Sequence, residues 1–305
     1  MKKIVIDTLG GDLCLQEILE GVILCLNKGE QYEPVLVGPK KEIDDFFNAR
    51  NISVEVIDAE TEVTNTTNPM TMLYEQDNTA LVKAYRYLRD NEDAKGMITC
   101  SATGCVLVGS IFHLGLQEGL KFPVLGGILK HGNGNEFLLA DCGANIDVKD
   151  TDLDKFARLG SKFIGSYLSI EKPRVGIVSN GKEEGKGNAQ IKSAAKILKE
   201  DETINFVGNI EACDCFNDMA DVLVCDGMIG NVVLKVAEGV ANIVAHYGDC
   251  KEINEKVGER FDYNNIGGSV LIGTKKPVVK AHGAANRKTI AGCYDQVVKL
   301  LNGGF

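Results

Sequence analysis

Short continuous apolar runs alternate with longer stretches of helical periodicity along most of the 305-residue chain. Lys3 to Asp7, Pro34 to Val37, Val54 to Ile57 and Gly96 to Thr99 read as strands. Leu15 to Leu26, Lys40 to Ala49, Asp77 to Asp90 and Thr103 to His113 carry apolar residues at three- and four-residue spacing and read as helices. Runs that are apolar throughout belong to strands covered on both faces, the condition of a parallel sheet. The alternation predicts an α/β fold with a mostly parallel sheet.

Gly126 to Lys130 and Glu136 to Asp141 are joined by His131-Gly132-Asn133-Gly134-Asn135, a turn-rich link that predicts an antiparallel hairpin. The pattern resumes with helix Thr151 to Tyr167, strand Arg174 to Ser179 and helix Asn188 to Lys199. Strands Asn205 to Val207 and Val222 to Cys225, helix Asn231 to His246, strand Pro277 to Lys280 and helix Arg287 to Leu301 complete it. No flexible linker interrupts the series, so one domain over 1–305 is expected, with a soft subdivision near 143–149.

Two of these strands end abruptly on polar and small residues. One runs into Gly208-Asn209-Ile210-Glu211, the other into Asp226-Gly227-Met228-Ile229-Gly230-Asn231, with Lys235 one turn further. Chemistry in open α/β sheets gathers at the carboxyl ends of strands. The apolar helix that follows places backbone N–H groups at a helix start, where an anion is favoured. Strand Arg174 to Ser179 runs into Gly181-Lys182-Glu183-Glu184-Gly185-Lys186-Gly187-Asn188, which lacks P-loop spacing but suits a free phosphate. No Gly-x-Gly-x-x-Gly follows a strand, so a nicotinamide or flavin fingerprint is missing.

Composition narrows the classes. A formal net charge of −10 argues against nucleic acid as a partner, because phosphate backbones bind basic faces. Ten cysteines without framework spacing, and a start with no signal-like segment, suit a reducing cytoplasm. Cys213-x-Cys215 lacks a second ligand pair, so no metal site is expected. No apolar run in the sequence approaches bilayer length, and stable membrane insertion is not expected.

Six motifs, taken in order, carry a resemblance. They are Ile6-Asp7-Thr8-Leu9-Gly10-Gly11-Asp12, Gly143-Ala144-Asn145-Ile146-Asp147, Glu183 to Asn188, Phe206 to Glu211, Asp226 to Lys235 and Lys280-Ala281-His282-Gly283. Together they resemble the phosphate acyltransferases of bacterial phospholipid synthesis over nearly the whole chain. The resemblance implies a three-layer α/β/α sandwich related to isopropylmalate dehydrogenase, with a small β-hairpin insertion, in a homodimer. It implies transfer of an acyl group from an acyl carrier protein thioester to inorganic phosphate, with no cofactor. A phosphotransacylase acting on a coenzyme A or other protein-bound thioester, and a non-catalytic paralogue that binds phosphate or a partner, are the alternatives.

Such a reaction needs positioning rather than a side-chain nucleophile, because phosphate itself attacks. Preorganised donors at a developing oxyanion contribute roughly 3 to 4 kcal/mol each. Asn209, Asn231, His282 and the N–H groups around Gly230 are the donors expected, with Lys186, Lys235 and Lys280 as cations near phosphate. Like charges 4 Å apart repel by about 4 kcal/mol at an effective dielectric near 20. Asp226 and Glu211 are therefore expected to orient a lysine or asparagine, with Asp226 as general base the second choice. Asp226, Asn209 and Asn188 equally suit plain cap or turn roles. By the resemblance Gly10, Gly11, Asp12, Thr103, Gly104, Asn145, Gly187, Asn188 and Gly227 join the substrate-binding set.

Some positions depart from the family pattern. Cys100-Ser101-Ala102-Thr103-Gly104 stands where the family usually has Ala-Gly-Asn-Thr-Gly, Leu13-Cys14-Leu15 replaces His-Ala-Pro, Phe122-Pro123 replaces Arg-Pro, and Glu75-Gln76 replaces a basic pair. Cys100 and Cys105 read first as ordinary helix-start packing; the alternative is a thiol of lowered pKa that carries an acyl group. Asn254 to Arg260 is charged, so the family's membrane-touching helix pair is expected to be reduced or absent. Lys275, Lys276, Arg287 and Lys288 are the surface expected to dock an acidic carrier protein.

Overall fold

The computed structural model describes residues 1–11, 14–29, 32–75, 78–247, 251–252, 254, 256–257, 267–282 and 285–303. The chain forms two units, residues 1–123 with 263–305, and residues 124–262. The subdivision expected near 143–149 falls inside the second.

The first unit carries strands β1 (Lys2–Asp7), β2 (Tyr32–Gly38), β3 (Glu55–Asp58), β4 (Ala94–Thr99), β10 (Ser269–Ile272) and β11 (Val278–Lys280). They lie in the order β3-β2-β1-β4-β11-β10, parallel except for the β10–β11 pair. The helices are α1 (Leu15–Leu26), α2 (Lys40–Asn48), α3 (Pro69–Glu75), α4 (Ala80–Asp90), α5 (Thr103–His113) and a C-terminal helix, here α9 (Arg287–Asn302). Ile18, Leu19, Val22 and Cys25 recur at helical spacing on α1 and bury one face, and α1 packs on α9. Caps fix the helix starts: Thr79 Oγ1 accepts from the N–H of Val82, and Asn286 forms a capping box with Thr289. Ile4 to Ile6, Val35 to Val37, Met97 and Ile98 form the buried centre.

The second unit carries β5 (Val124–Lys130), β6 (Glu136–Ala140), β7 (Arg174–Ser179), β8 (Asn205–Glu211) and β9 (Val222–Val224), in the order β5-β6-β9-β7-β8. The β5–β6 hairpin is antiparallel, as its turn predicts, and the other pairs are parallel. Its helices are α6 (Asp150–Leu168), α7 (Ala189–Glu200) and α8 (Gly227–Tyr247). Register sets the functional edges. In the first unit Lys280 pairs with Thr99, and Asp7 ends the adjoining β1. In the second, Ser179 pairs with Glu211, and Ala140 and Ile177 both pair with Val224.

Helices α1 and α5 and strand β7 keep the predicted bounds. Helix α3 and strand β10 were not predicted, and α8 begins at Gly227, four residues before the expected Asn231.

Candidate active site

In the first unit the end of β1 is organised around Asp7. Its carboxyl is 1% exposed and accepts from Thr99 Oγ1 and Ser101 Oγ at 2.8 Å each and from the N–H of Leu9 at 3.1 Å. Burial pushes its pKa up to about 6, against the pull of those donors. A β-carbon on Gly10, whose φ is +131°, would lie 2.4 Å from Ser101 Oγ, so Gly10 is held to glycine by close approach as well as by backbone angle. Ser101, where the family usually has glycine, is thus built into the network. Asp7 was quoted in a motif without a role; its place at the end of a buried strand was the signal.

Thr103 opens α5 behind Ala102, which supplies no side-chain cap. Gly104 is exposed beside it. Lys280 ends β11, half-buried, and its Nζ donates to the Ala281 carbonyl at 3.1 Å; His282 follows, also half-buried. Gly11 has a positive φ of 78°. Asp12 lies outside the described residues, as do Leu13, Gln76 and Gly283.

The thiols at the start of α5 are packing residues. Cys100 is 3% exposed and its pKa is pushed up to about 12, chiefly by burial with the Asp7 carboxylate adding to it; Cys105 is raised by burial too. A helix start lowers a thiol pKa only where solvent or a cation shares the field. Neither cysteine is a ready acyl carrier.

In the second unit Asp141 holds the turn after β6. Its buried carboxylate accepts from the N–H groups of Gly143, Ala144 and Asn145 at 2.8 to 3.0 Å and from the Asn145 side-chain amide. Burial raises its pKa and those four donors oppose the rise. This turn is braced against the start of α8. The N–H of Gly227 donates to the Asn145 carbonyl at 2.7 Å, and a β-carbon on Gly227 would meet the Asn145 backbone at 2.9 Å. A β-carbon on Gly230 would lie 1.8 Å from the Asp141 carbonyl oxygen. The structure therefore brings Asn145, Asp226, Gly227, Gly230 and Asn231 together, with Asp141 as the residue the sequence did not single out.

That convergence corrects the donor assignment. The N–H of Gly227 goes to Asn145, that of Ile229 to Asp226 Oδ1 at 2.8 Å, and that of Gly230 to the Asp226 carbonyl at 3.0 Å. The backbone around Gly230 is occupied, because α8 starts early enough for its first turn to close. Asp226 acts as the cap of α8, and no lysine or asparagine is bonded to it among the described residues. Asn231 is exposed, 3.8 Å from the β-carbon position of Gly143, and its amide has no hydrogen-bond partner among the described residues. Lys235 is paired with Glu238 at 2.7 Å.

Asn188 caps α7 by accepting from the N–H of Ile191 at 2.9 Å, and the N–H of Gly187 donates to Asn180 Oδ1 at 2.8 Å. Gly187, at φ +96°, leaves room for Ile191. Lys186 is exposed and lies along Gly181. Asn209 donates through Nδ2 to the Glu183 carbonyl at 2.9 Å, while its buried Oδ1 has no partner among the described residues. A buried acceptor left unmatched costs about 1 to 3 kcal/mol. Glu211 is bonded to no lysine or asparagine among the described residues; its charge acts on Lys182, whose pKa is raised first by Asp214 at 2.7 Å. Ligand atoms of Glu211, Cys213 and Asp214 lie within 4.8 Å of one another, but Asp214 already holds Lys182, and Cys215 is buried.

A cavity of about 240 Å³ is lined by Asp147, Asn188, Cys225, Asp226 and Ile229 among others, and no lysine or arginine lines it among the described residues. Two carboxylates without a cation disfavour a phosphate dianion in that cavity itself.

Two surface expectations also change. Lys276 is drawn inward, donating to the carbonyls of Leu88, Asn91 and Ala94, and burial lowers its pKa; Arg287 clasps Glu17. Lys275 and Lys288 remain exposed. On α8, Val232, Val236, Val240 and Ile243 form one exposed apolar face, each more than half exposed. The stretch Gly227–Val244 is long and apolar enough to cross a membrane by length and composition. A depression of about 460 Å³ lined by Phe216, Val233, Val236, Val240 and Val257 continues that face. The 254–260 segment falls partly outside the described residues.

A model of the family described as "Fatty acid synthesis protein" matches residues 2–305. A phosphate acyltransferase of Halothermothrix orenii is 34% identical over 98% of this chain and 95% of its own length. Another, of Clostridium novyi, is 32% identical over 99% and 96%. Among solved structures, a phosphotransacetylase from Streptococcus pyogenes matches 99% of this chain and 94% of its own with a TM-score of 0.68 at 13% identity. A 4-hydroxythreonine-4-phosphate dehydrogenase from Klebsiella pneumoniae matches 99% of both chains with a TM-score of 0.57 at 10% identity. These structural likenesses are ones of fold, and the second bears out the dehydrogenase-related architecture.

Proposed function

The chain belongs to the family of fatty acid synthesis proteins, and from that premise we propose that it moves an acyl group from an acyl carrier protein thioester to inorganic phosphate. The product is an acyl phosphate, formed for phospholipid synthesis. The observation that carries this reading is its similarity to phosphate acyltransferases over nearly their whole length.

A phosphate oxygen attacks the thioester carbonyl carbon, the carbon–sulfur bond breaks, and the electron pair leaves on the carrier's sulfur, which takes up a proton. No enzyme nucleophile is needed, in keeping with buried, hard-to-ionise Cys100. Asn231, exposed with its amide unpartnered among the described residues, is the donor for the oxyanion. The Asp141 turn and the close-packed glycines fix the backbone from which Asn231 projects, and bound substrate orders its exposed amide. Lys186 and Lys235, both in the second unit, supply charge to phosphate. Asp226 fixes the start of α8 rather than touching the dianion.

The exposed face of α8 supports a homodimer, with Val232, Val236, Val240 and Ile243 packed on a second copy. Lys275 and Lys288 are the residues of the expected docking surface left to meet an acidic carrier protein. Scattered unpaired thiols among the described residues suit a cytoplasmic setting. The test is phosphate-dependent loss of thioester with acyl phosphate appearing in equal amount, first with acyl carrier protein and then with coenzyme A thioesters.

A further inference from the structure

We propose that the groove between α7 and β8 binds a nucleotide carrying two or more phosphates. Its volume is about 760 Å³, and Lys182, Lys192, Lys196, Lys199, Phe206 and Asn209 are among its lining residues. That size suits a small molecule rather than a single ion. Lys192, Lys196 and Lys199 follow one another at helical spacing, so a single face of α7 presents three ammonium groups. Like charges so placed repel unless an anion lies between them.

The pairing within the lining is uneven. Lys182 is held by Asp214 at 2.7 Å and Lys199 by Glu184, whereas the ammonium groups of exposed Lys192 and Lys196 have no ion-pair or hydrogen-bond partner among the described residues. Four lysines face two glutamates, Glu184 and Glu200, in a protein whose net charge is −10. A polyanion is therefore repelled by the protein as a whole and attracted here.

Asn209 supplies the second, independent observation. It lines the groove and is 8% exposed, and its buried Oδ1 has no partner among the described residues. A phosphate dianion offers no proton to that oxygen; the exocyclic amine of a purine does, once the Asn209 side chain turns toward the groove. Phe206, Val207 and Ala195 give the same groove an apolar wall suited to a base. Gly208, at φ +99° within the irregular β7–β8 register, keeps that wall free of a further side chain. An acidic protein helix would satisfy the lysines but leave Asn209 unmatched. A free nucleotide and the nucleotide end of a coenzyme A thioester share the chemistry required.

The inference stands apart from the acyl-transfer reading, because it is tested by binding without turnover. Isothermal titration of the full chain with ADP, ATP, coenzyme A and pyrophosphate, at low and high salt, is compared with a Lys192→Ala/Lys196→Ala variant checked for folding by circular dichroism. ADP is expected to bind more tightly than pyrophosphate, to weaken with salt, and to lose about tenfold or more in affinity in the variant. Displacement of ADP by coenzyme A assigns the site to a coenzyme handle; failure to displace assigns it to free nucleotide. No binding at millimolar nucleotide, equal affinity for pyrophosphate, or affinity unchanged in the variant overturns the proposal. Retention of an acidic carrier protein by the wild type alone, without nucleotide binding, overturns it in favour of a protein partner.

Discussion

The carbonyl oxygen of Asp141 lies 1.8 Å from the point a β-carbon on Gly230 would occupy. Nothing at that position but glycine fits without moving the backbone of the Asp141 turn or of α8. Gly230→Ala is expected to destabilise by about 3 kcal/mol, the upper part of the usual overpacking range. Gly239, further along α8, has nothing within 4 Å of its β-carbon position. There the same change is expected to stabilise by about 0.5 to 1 kcal/mol, the helix-propensity difference. Urea-unfolding midpoints of the two variants check both signs, and equal shifts would contradict the packing argument.

Asp7 makes stability depend on pH in an unusual direction for a carboxylate. Its folded pKa is about 6 against an ordinary 3.8, so the folded state keeps a proton that the unfolded chain releases. The contribution is fully present below the unfolded pKa and is lost as pH rises through the folded one, with a size of order 3 kcal/mol. Asp7→Asn removes the titration. Between about pH 4 and 7 the wild type is expected to lose stability relative to the variant; parallel profiles in denaturant titrations at stepped pH would refute this.

Much of the fold was legible because apolar periodicity and burial agree, as in α1, where Ile18, Leu19, Val22 and Cys25 form the predicted face. Strand β10 escaped because four residues between Gly267-Gly268 and Gly273 are too few to show a period. The start of α8 was misplaced because Asn231 is a good cap residue and Gly227 and Gly230 are poor helix formers; tertiary packing on the Asp141 turn overrode both tendencies. Except for Asp141, the membership of the cluster could be read from the motifs. Which N–H groups were already engaged could not, because that depends on the Asn145 and Asp226 oxygens meeting them in space. The pKa direction at Cys100 was likewise set by burial, which the local sequence does not encode.

Asn231 carries the catalytic reading in the second unit. Asn231→Ala is expected to lower kcat by about 100-fold or more, the usual effect of removing an oxyanion donor, with little change in unfolding midpoint. A fall confined to the KM for phosphate would make it a ground-state binding residue instead.

The apolar face of α8 predicts self-association. Val236→Asp/Val240→Asp is expected to turn a dimer into a folded monomer in light scattering after size exclusion, because buried unpaired carboxylates oppose assembly. Wild type that is already monomeric would remove the dimer. Clear co-flotation of the wild type with liposomes would assign the face to lipid.

The central claim is acyl transfer to phosphate, and its most direct measurement follows acyl carrier protein thioester and phosphate together by ³¹P resonance and free thiol. The account predicts acyl phosphate and thiol in equal amounts, neither forming when phosphate is omitted. Thiol release that is unchanged without phosphate, or none with either carrier protein or coenzyme A thioesters, would contradict it.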